Sequence, residues 1–180
     1  SYLPRKFKIA VTASKNRDRT AVRFHDIGIR VRENDSGEIG FEIMAGGGLG
    51  RTPVVGETLN EFVPESDLLS YCEAILRVYN QLGRRDNIYK ARIKILVKSV
   101  GAASFTEMVE KEWREIRGSE LKLPDEELNR ITAYFAPPKF ESLSRTPDSY
   151  LADLKSNEDF SLWCQNNLAD HIKPGYSIVN

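Results

Sequence analysis

The residues able to do chemistry in this chain are cations and glycines. Lys6 and Lys8 stand two apart in Arg5-Lys6-Phe7-Lys8. On a strand, residues two apart project to one side, so both ammonium groups face together, opposite Phe7, Ile9 and Val11. Two cations that close repel unless an anion lies between them. A paired-cation site is one reading, and a solvated outer face is the other. Arg92 lies four residues from both Ile88 and Leu96, inside an apolar helical stripe, with Lys90, Lys94 and Lys98 on the far side. A guanidinium there needs a partner, because an unpaired buried charge is costly. An internal carboxylate would serve, and so would a ligand carboxylate held bidentately. Gly46-Gly47-Gly48 allows close backbone approach, so its N–H groups suit an anion or a flat ligand. A tight turn explains the glycines equally well. The run lacks the Gly-Lys-Ser/Thr ending of a P-loop and opens no strongly patterned helix, as a dinucleotide fingerprint would.

Other reactive types point nowhere. His25 and His171 have no cysteine or carboxylate neighbour at metal-ligand spacing and read as structural. Cys72 and Cys164 form no C-x-x-C and sit in apolar helical patterns, as buried reduced thiols do. No metal site is expected from them. The carboxylates after residue 105 look like helix-surface charge, with no acid–base pair among them. No G-x-S-x-G nucleophile motif is present.

The 180 residues suit one domain, or one domain plus part of a neighbour. The 41% hydrophobic and 29% charged content is that of a soluble globular protein with a core large enough to need no disulfides. Net charge is zero, which argues against a nucleic-acid binder. The average hides a gradient. Residues 1–100 hold 17 Lys+Arg against 12 Asp+Glu, and residues 101–180 hold 9 against 14. The basic half is where an anionic ligand would bind. No apolar run approaches the ~20 residues of a membrane span, and no signal-peptide core opens the chain. Reduced thiols and these absences point to the cytoplasm. The chain starts Ser1-Tyr2-Leu3-Pro4 without Met and stops at Tyr176-Ser177-Ile178-Val179-Asn180 in mid-strand pattern. A piece of a longer polypeptide is expected.

Period-2 alternation predicts strands over 5–13 and 21–32. The turn Asn34-Asp35-Ser36-Gly37 then joins the second strand to a third through Ile39, Phe41 and Ile43. Helices follow. The first runs from Pro64 to Leu82 with Leu68, Leu69, Cys72, Ile75, Leu76, Tyr79 and Leu82 on one face and Gly83 as stop. Another runs from about Ile88 to Val100. A third is opened by a Ser104/Glu107 capping box, with Phe105, Met108, Val109 and Ile116 inward. A fourth starts at Pro124. Pro137, Pro138 and Pro147 mark a linker, followed by a short helix through Phe160, Trp163, Cys164 and Leu168. The last strand, from Tyr176, lacks a partner. Strands first and helices after give an α+β fold, a mixed or antiparallel sheet with helices packed on it.

Several segments together resemble one family. Tyr2-Leu3-Pro4-Arg5-Lys6-Phe7-Lys8, His25-Asp26-Ile27-Gly28, Gly46-Gly47-Gly48-Leu49 and Arg84-Arg85-Asp86 leading to Arg92-Ile93-Lys94 look like the central region of the siroheme-dependent sulfite and nitrite reductases, in order and approximate spacing. The resemblance covers most of residues 1–100 and thins through 101–155. It returns over Phe160 to Val179, where Trp163, Asn167, His171, Pro174, Gly175 and Tyr176 look like the start of the family's second repeat half. It implies a central reductase domain over 1–135, a linker over 136–155 and a truncated second half over 156–180.

In that family siroheme and a 4Fe–4S cluster share a cysteine sulfur, and electrons reach the anion on the haem iron through the cluster. The resemblance implies that Lys6 and Lys8 flank the bound sulfite or nitrite, steadying charge and delivering protons. It implies that Arg92 contacts siroheme carboxylates, that Gly46, Gly47 and Gly48 approach the macrocycle, and that Arg5 is a weaker cofactor-side candidate. The electron donor would be a ferredoxin or a flavoprotein. The physics agrees: siroheme carries eight carboxylates, and paired cations would attract a small anion. The departure is equally plain. A cluster takes four thiolates, and two cysteines outside any cluster-binding run do not supply them. The expectation is therefore an inactive fragment of a reductase. The alternatives are a non-catalytic relative that binds a tetrapyrrole or a partner protein, and a phosphate or nucleotide module built on the glycine loop.

Overall fold

Alternating apolar residues in Ile27-Gly28-Ile29-Arg30-Val31 and Ile39-Gly40-Phe41-Glu42-Ile43 make a hairpin whose one face is apolar and whose other is charged. In the computed structural model, which describes residues 2–15, 17–118, 121, 124–143 and 147–180, these are β2 (Ile27–Glu33) and β3 (Ile39–Ala45). They pair antiparallel with Ile29 opposite Ile43 and Arg30 opposite Glu42. β1 (Ile9–Thr12) adds parallel to β2, and β4 (Glu57–Pro64) antiparallel to β3, giving a mixed sheet in the order β1-β2-β3-β4. The α+β expectation holds.

The helices α1 (Leu68–Leu82), α2 (Ile93–Val100) and α3 (Ala102–Ile116) cover one face. Their Tyr79, Ile75, Ile93, Phe105 and Val109 join Ile27, Ile29, Ile43 and Val63 in one buried cluster. Parity puts the charged residues on the opposite face. There Arg30 reaches the buried Glu42 carboxylate at 3.1 Å, and Arg32 joins them.

Six local expectations change. The strand expected over 5–13 starts only at Ile9, and its burial runs the other way. Ile9 is 45% and Val11 53% exposed, while Thr12 is buried. Ile9 and Val11 do share the core face with Ile27 and Ile29, but β1 is an edge strand that packs mainly on β2 and on the 3₁₀ turn Val22–Phe24. That turn occupies residues expected as strand. It sits over Gly28, where an added Cβ would meet the Val22 carbonyl oxygen at 2.5 Å. β4 was not expected, because bulges against β3 break its period-2 pattern. The helix expected from Ile88 starts at Ile93, after a 3₁₀ turn at Ile88–Lys90. Arg92 becomes its extended N-cap residue rather than a mid-helix residue. Finally, α3 begins at Ala102 with Gly101 before it, so Ser104 lies inside the helix and caps nothing. On α1 the buried face turns toward Tyr71, Ala74 and Val78, leaving Leu69 and Leu82 about half exposed.

The chain divides into two compact units, residues 1–127 and 128–180, with the division inside α4 (Asp125–Tyr134). The second unit holds α5 (Asp148–Ser156), α6 (Glu158–Asn167), β5 (Leu168–Asp170) and β6 (Ser177–Val179). β5 and β6 pair antiparallel, so the last strand has a partner within the chain. A helix occupies part of the segment expected as linker, and residues 144–146 of that segment lie outside the described residues. Among the described residues no helix is long and apolar enough to cross a membrane.

Candidate anion site

The segment carrying Lys6 and Lys8 is fastened by its main chain at several points. Arg85 donates to the Tyr2 carbonyl at 2.6 Å. The Tyr79 hydroxyl lies 3.2 Å from the Arg5 carbonyl and donates to the Ala91 carbonyl at 2.6 Å. Arg5 itself donates to the Ile88 carbonyl at 2.6 Å, its guanidinium 5.8 Å from the centre of the Tyr89 ring. At the other end the Lys8 N–H donates to Asp26 Oδ2 at 2.9 Å, and the Lys8 carbonyl accepts from Ile27 at 3.1 Å. The side chains are treated differently. Both lysines are exposed, and among the described residues neither ammonium has a hydrogen-bond or ion-pair partner. Lys6, with Leu3, Arg5 and Phe7, lines a shallow cleft of about 320 Å³.

Arg92 is partnered within the chain. Its Nε donates to Asp26 Oδ1 at 2.8 Å, and its Nη2 pairs with Asp26 Oδ2. Asp26 is fully buried and the Arg92 side chain is 19% exposed. The carboxylate holds the guanidinium still further above its ordinary titration range. Of the two partners open to Arg92 in the sequence, the internal carboxylate is the one present.

The three glycines are also taken up by the chain itself. Gly46 has φ +81°, and a Cβ there would meet Val97 at 2.9 Å. At Gly47 a Cβ would fall 2.1 Å from the Arg23 carbonyl oxygen and 2.7 Å from that of His25. At Gly48 it would press on the Lys94 stem at 3.0 Å. All three are buried. Gly48 bridges Val54 through hydrogen bonds of 3.0 and 2.9 Å, closing a loop tip. Lys94 clamps that tip by donating to the Leu49 and Thr52 carbonyls at 3.2 and 2.7 Å. The sequence reading set Lys94 aside as far-side charge. Its nearness to Gly48 comes from packing, and no local pattern announces it. Asp26 lies in the segment His25-Asp26-Ile27-Gly28, where the sequence pattern assigns it no role. A lone carboxylate directly before an apolar strand is the signal that was there to use.

The expected cofactors meet this geometry unevenly. Burial pushes the Cys72 thiol up to about 11, away from the thiolate that ligates iron, and Cys164 is buried in the other unit. Among the described residues no group of three or more His, Cys, Asp or Glu is placed to hold a metal ion. The residues present do not fit a 4Fe–4S cluster. Of the residues expected at siroheme, Arg92 pairs with Asp26, Arg5 bonds the Ile88 carbonyl, and an added Cβ at each of the three glycines would meet the chain. The Lys6 and Lys8 ammonium groups have no such partner among the described residues. His25 Nδ1 lies 3.1 Å from the Ala21 carbonyl, and His171 Nδ1 accepts from the Lys173 N–H at 2.9 Å, both local contacts.

Comparison with known proteins gives a consistent result. The family described as the nitrite and sulphite reductase 4Fe-4S domain matches residues 1–117. A ferredoxin sulfite reductase of Synechococcus elongatus is 43% identical over 117 residues, 61% of this chain and 18% of that protein. An NADPH sulfite reductase hemoprotein beta-component of Staphylococcus epidermidis is 33% identical over 130 residues, 69% of this chain and 22% of that protein. The solved structure of the Mycobacterium tuberculosis NirA protein superposes with a TM-score of 0.56 at 28% identity, over 63% of this chain and 20% of that one. The chain spans about a fifth of the length of the curated relatives it matches.

Proposed function

The chain belongs to the nitrite and sulphite reductase 4Fe-4S domain family, and from that premise we propose that it is the central part of a longer reductase acting on a small oxyanion, with Lys6 and Lys8 at the substrate. Sulfite is the preferred substrate and nitrite the second, the products being sulfide or ammonia after six electrons. Siroheme and a 4Fe–4S cluster would supply the electron chemistry in the whole enzyme, fed by a ferredoxin or a flavoprotein. This chain's own part is electrostatic. The observation that carries the reading is the contrast between a main chain fastened at both ends of the segment and two ammonium groups without partners among the described residues. Cations preset around an anion lower the cost of the charge developing on it and need no rearrangement during reaction. An ammonium is also a proton donor at the reacting oxygens.

The test is Lys6→Met and Lys8→Met in the whole reductase, assayed on sulfite and on nitrite with a chemical electron donor. Each is expected to lower kcat/KM by about 100-fold, the scale of losing one oxyanion-stabilising donor. Unchanged kcat/KM in both variants overturns the assignment. The isolated 180-residue chain is expected to reduce neither anion.

One observation favours a second reading. Arg92 and the three glycines are absorbed by internal packing, as in a relative that keeps the fold and binds a tetrapyrrole or partner protein without catalysis. An iron-free, colourless whole protein, purified after expression with ample siroheme, would select it.

A further inference from the structure

Asp26 is the one fully buried carboxylate among the described residues, and it bonds Arg92 and the main chains of Lys8 and Gly46. Its two oxygens take three donors: Arg92 Nε on Oδ1, and Arg92 Nη2 and the Lys8 N–H on Oδ2. Its main-chain carbonyl accepts from Gly46 at 3.0 Å, which ties in the glycine loop. The next residue, Ile27, donates to the Lys8 carbonyl. Both polar groups of the Lys8 main chain are therefore held by residues 26 and 27.

We propose that Asp26 is a positioning residue for Lys8, and that Arg92 acts with it by neutralising its charge. The proposal rests on the reading of Lys6 and Lys8 as substrate-facing. A bare carboxylate beside Lys8 would draw in the Lys8 ammonium, since opposite charges in a weakly screened site attract strongly. Here the carboxylate is already paired with a guanidinium fork, the strong bidentate type. It therefore bonds the Lys8 main chain and leaves the Lys8 side chain free. Asparagine at this position offers one accepting oxygen in place of two. It cannot take the Arg92 fork and the Lys8 N–H together.

The experiment uses the whole reductase with sulfite. Asp26→Asn is made in the natural background and in a Lys6→Met/Lys8→Met background, and kcat and KM are measured for all four proteins. In the natural background a sulfite KM raised about tenfold is expected, because small misplacement of a charge near the reacting atoms is felt strongly. In the lysine-free background the expected change is less than about twofold, since two residues acting through one site are not additive. Equal losses in both backgrounds overturn the proposal and make Asp26 a stability residue only. If Asp26→Asn fails to fold, Arg92→Lys, which keeps the charge and loses the fork, is put through the same cycle with the same expectation. If the unaltered protein reduces neither sulfite nor nitrite, the functional reading fails on its own. The positioning claim is then decided by amide hydrogen exchange in that protein. Exchange at the Lys8 N–H at least about tenfold faster in the variant than in the unaltered protein, with the Gly101 N–H at the end of α2 unchanged, supports it. Equal Lys8 rates overturn it.

Discussion

The cations of this chain fall into two regions that treat charge in opposite ways. Around Arg92 the charge is buried and spent: the guanidinium meets a fully buried carboxylate, and little of either is open to solvent. Around Lys6 and Lys8 the main chain is fastened while the charge is left open. One carboxylate, Asp26, joins the two regions. The difference teaches that a basic residue within an apolar pattern is compelled by burial to find a partner, and for Arg92 Asp26 is one. The exposed lysines, which the plainer reading gives to solvent, are the ones the proposed function puts at the anion.

That contrast is open to breaking. Arg92→Met leaves the Asp26 carboxylate buried without its partner and is expected to cost about 3–5 kcal/mol of stability by urea unfolding of the chain, the scale for opening a buried ion pair from one side. A loss below about 1 kcal/mol would mean the pair is not a structural element and would return Arg92 to the ligand side. Gly47→Ala sharpens the same point for the loop. Its methyl would collide with the Arg23 and His25 carbonyls, and about 1–3 kcal/mol is expected from forced backbone movement. An alanine tolerated without loss would show that the space beside Gly47 is open to a ligand. The smallest effect belongs to Lys6→Met and Lys8→Met, which should shift stability by no more than about 0.5 kcal/mol, as exposed substitutions do. A larger loss would place these lysines with Arg92 as structural charge.

Much of the fold was legible. The β2–β3 hairpin follows from alternation flanking Asn34-Asp35-Ser36-Gly37, and Gly83 ends α1 as expected. β4 was hidden because its bulges break the periodicity that reveals a strand. β1 was found with its burial reversed, since alternation tells which residues share a face but not whether helices reach far enough to cover it.

What the sequence determined by itself is the material: a basic first half, two lysines two residues apart, three consecutive glycines, and segments specific enough to indicate a family whose domain matches residues 1–117. Tertiary structure alone decided which charges meet. Asp26 and Arg92 are 66 residues apart, and Lys94 reaches a loop 42 to 45 residues away. Periodicity reports the face a residue occupies within its own element. The partner of a buried charge is set by how the elements stack, which no pattern within one element reports.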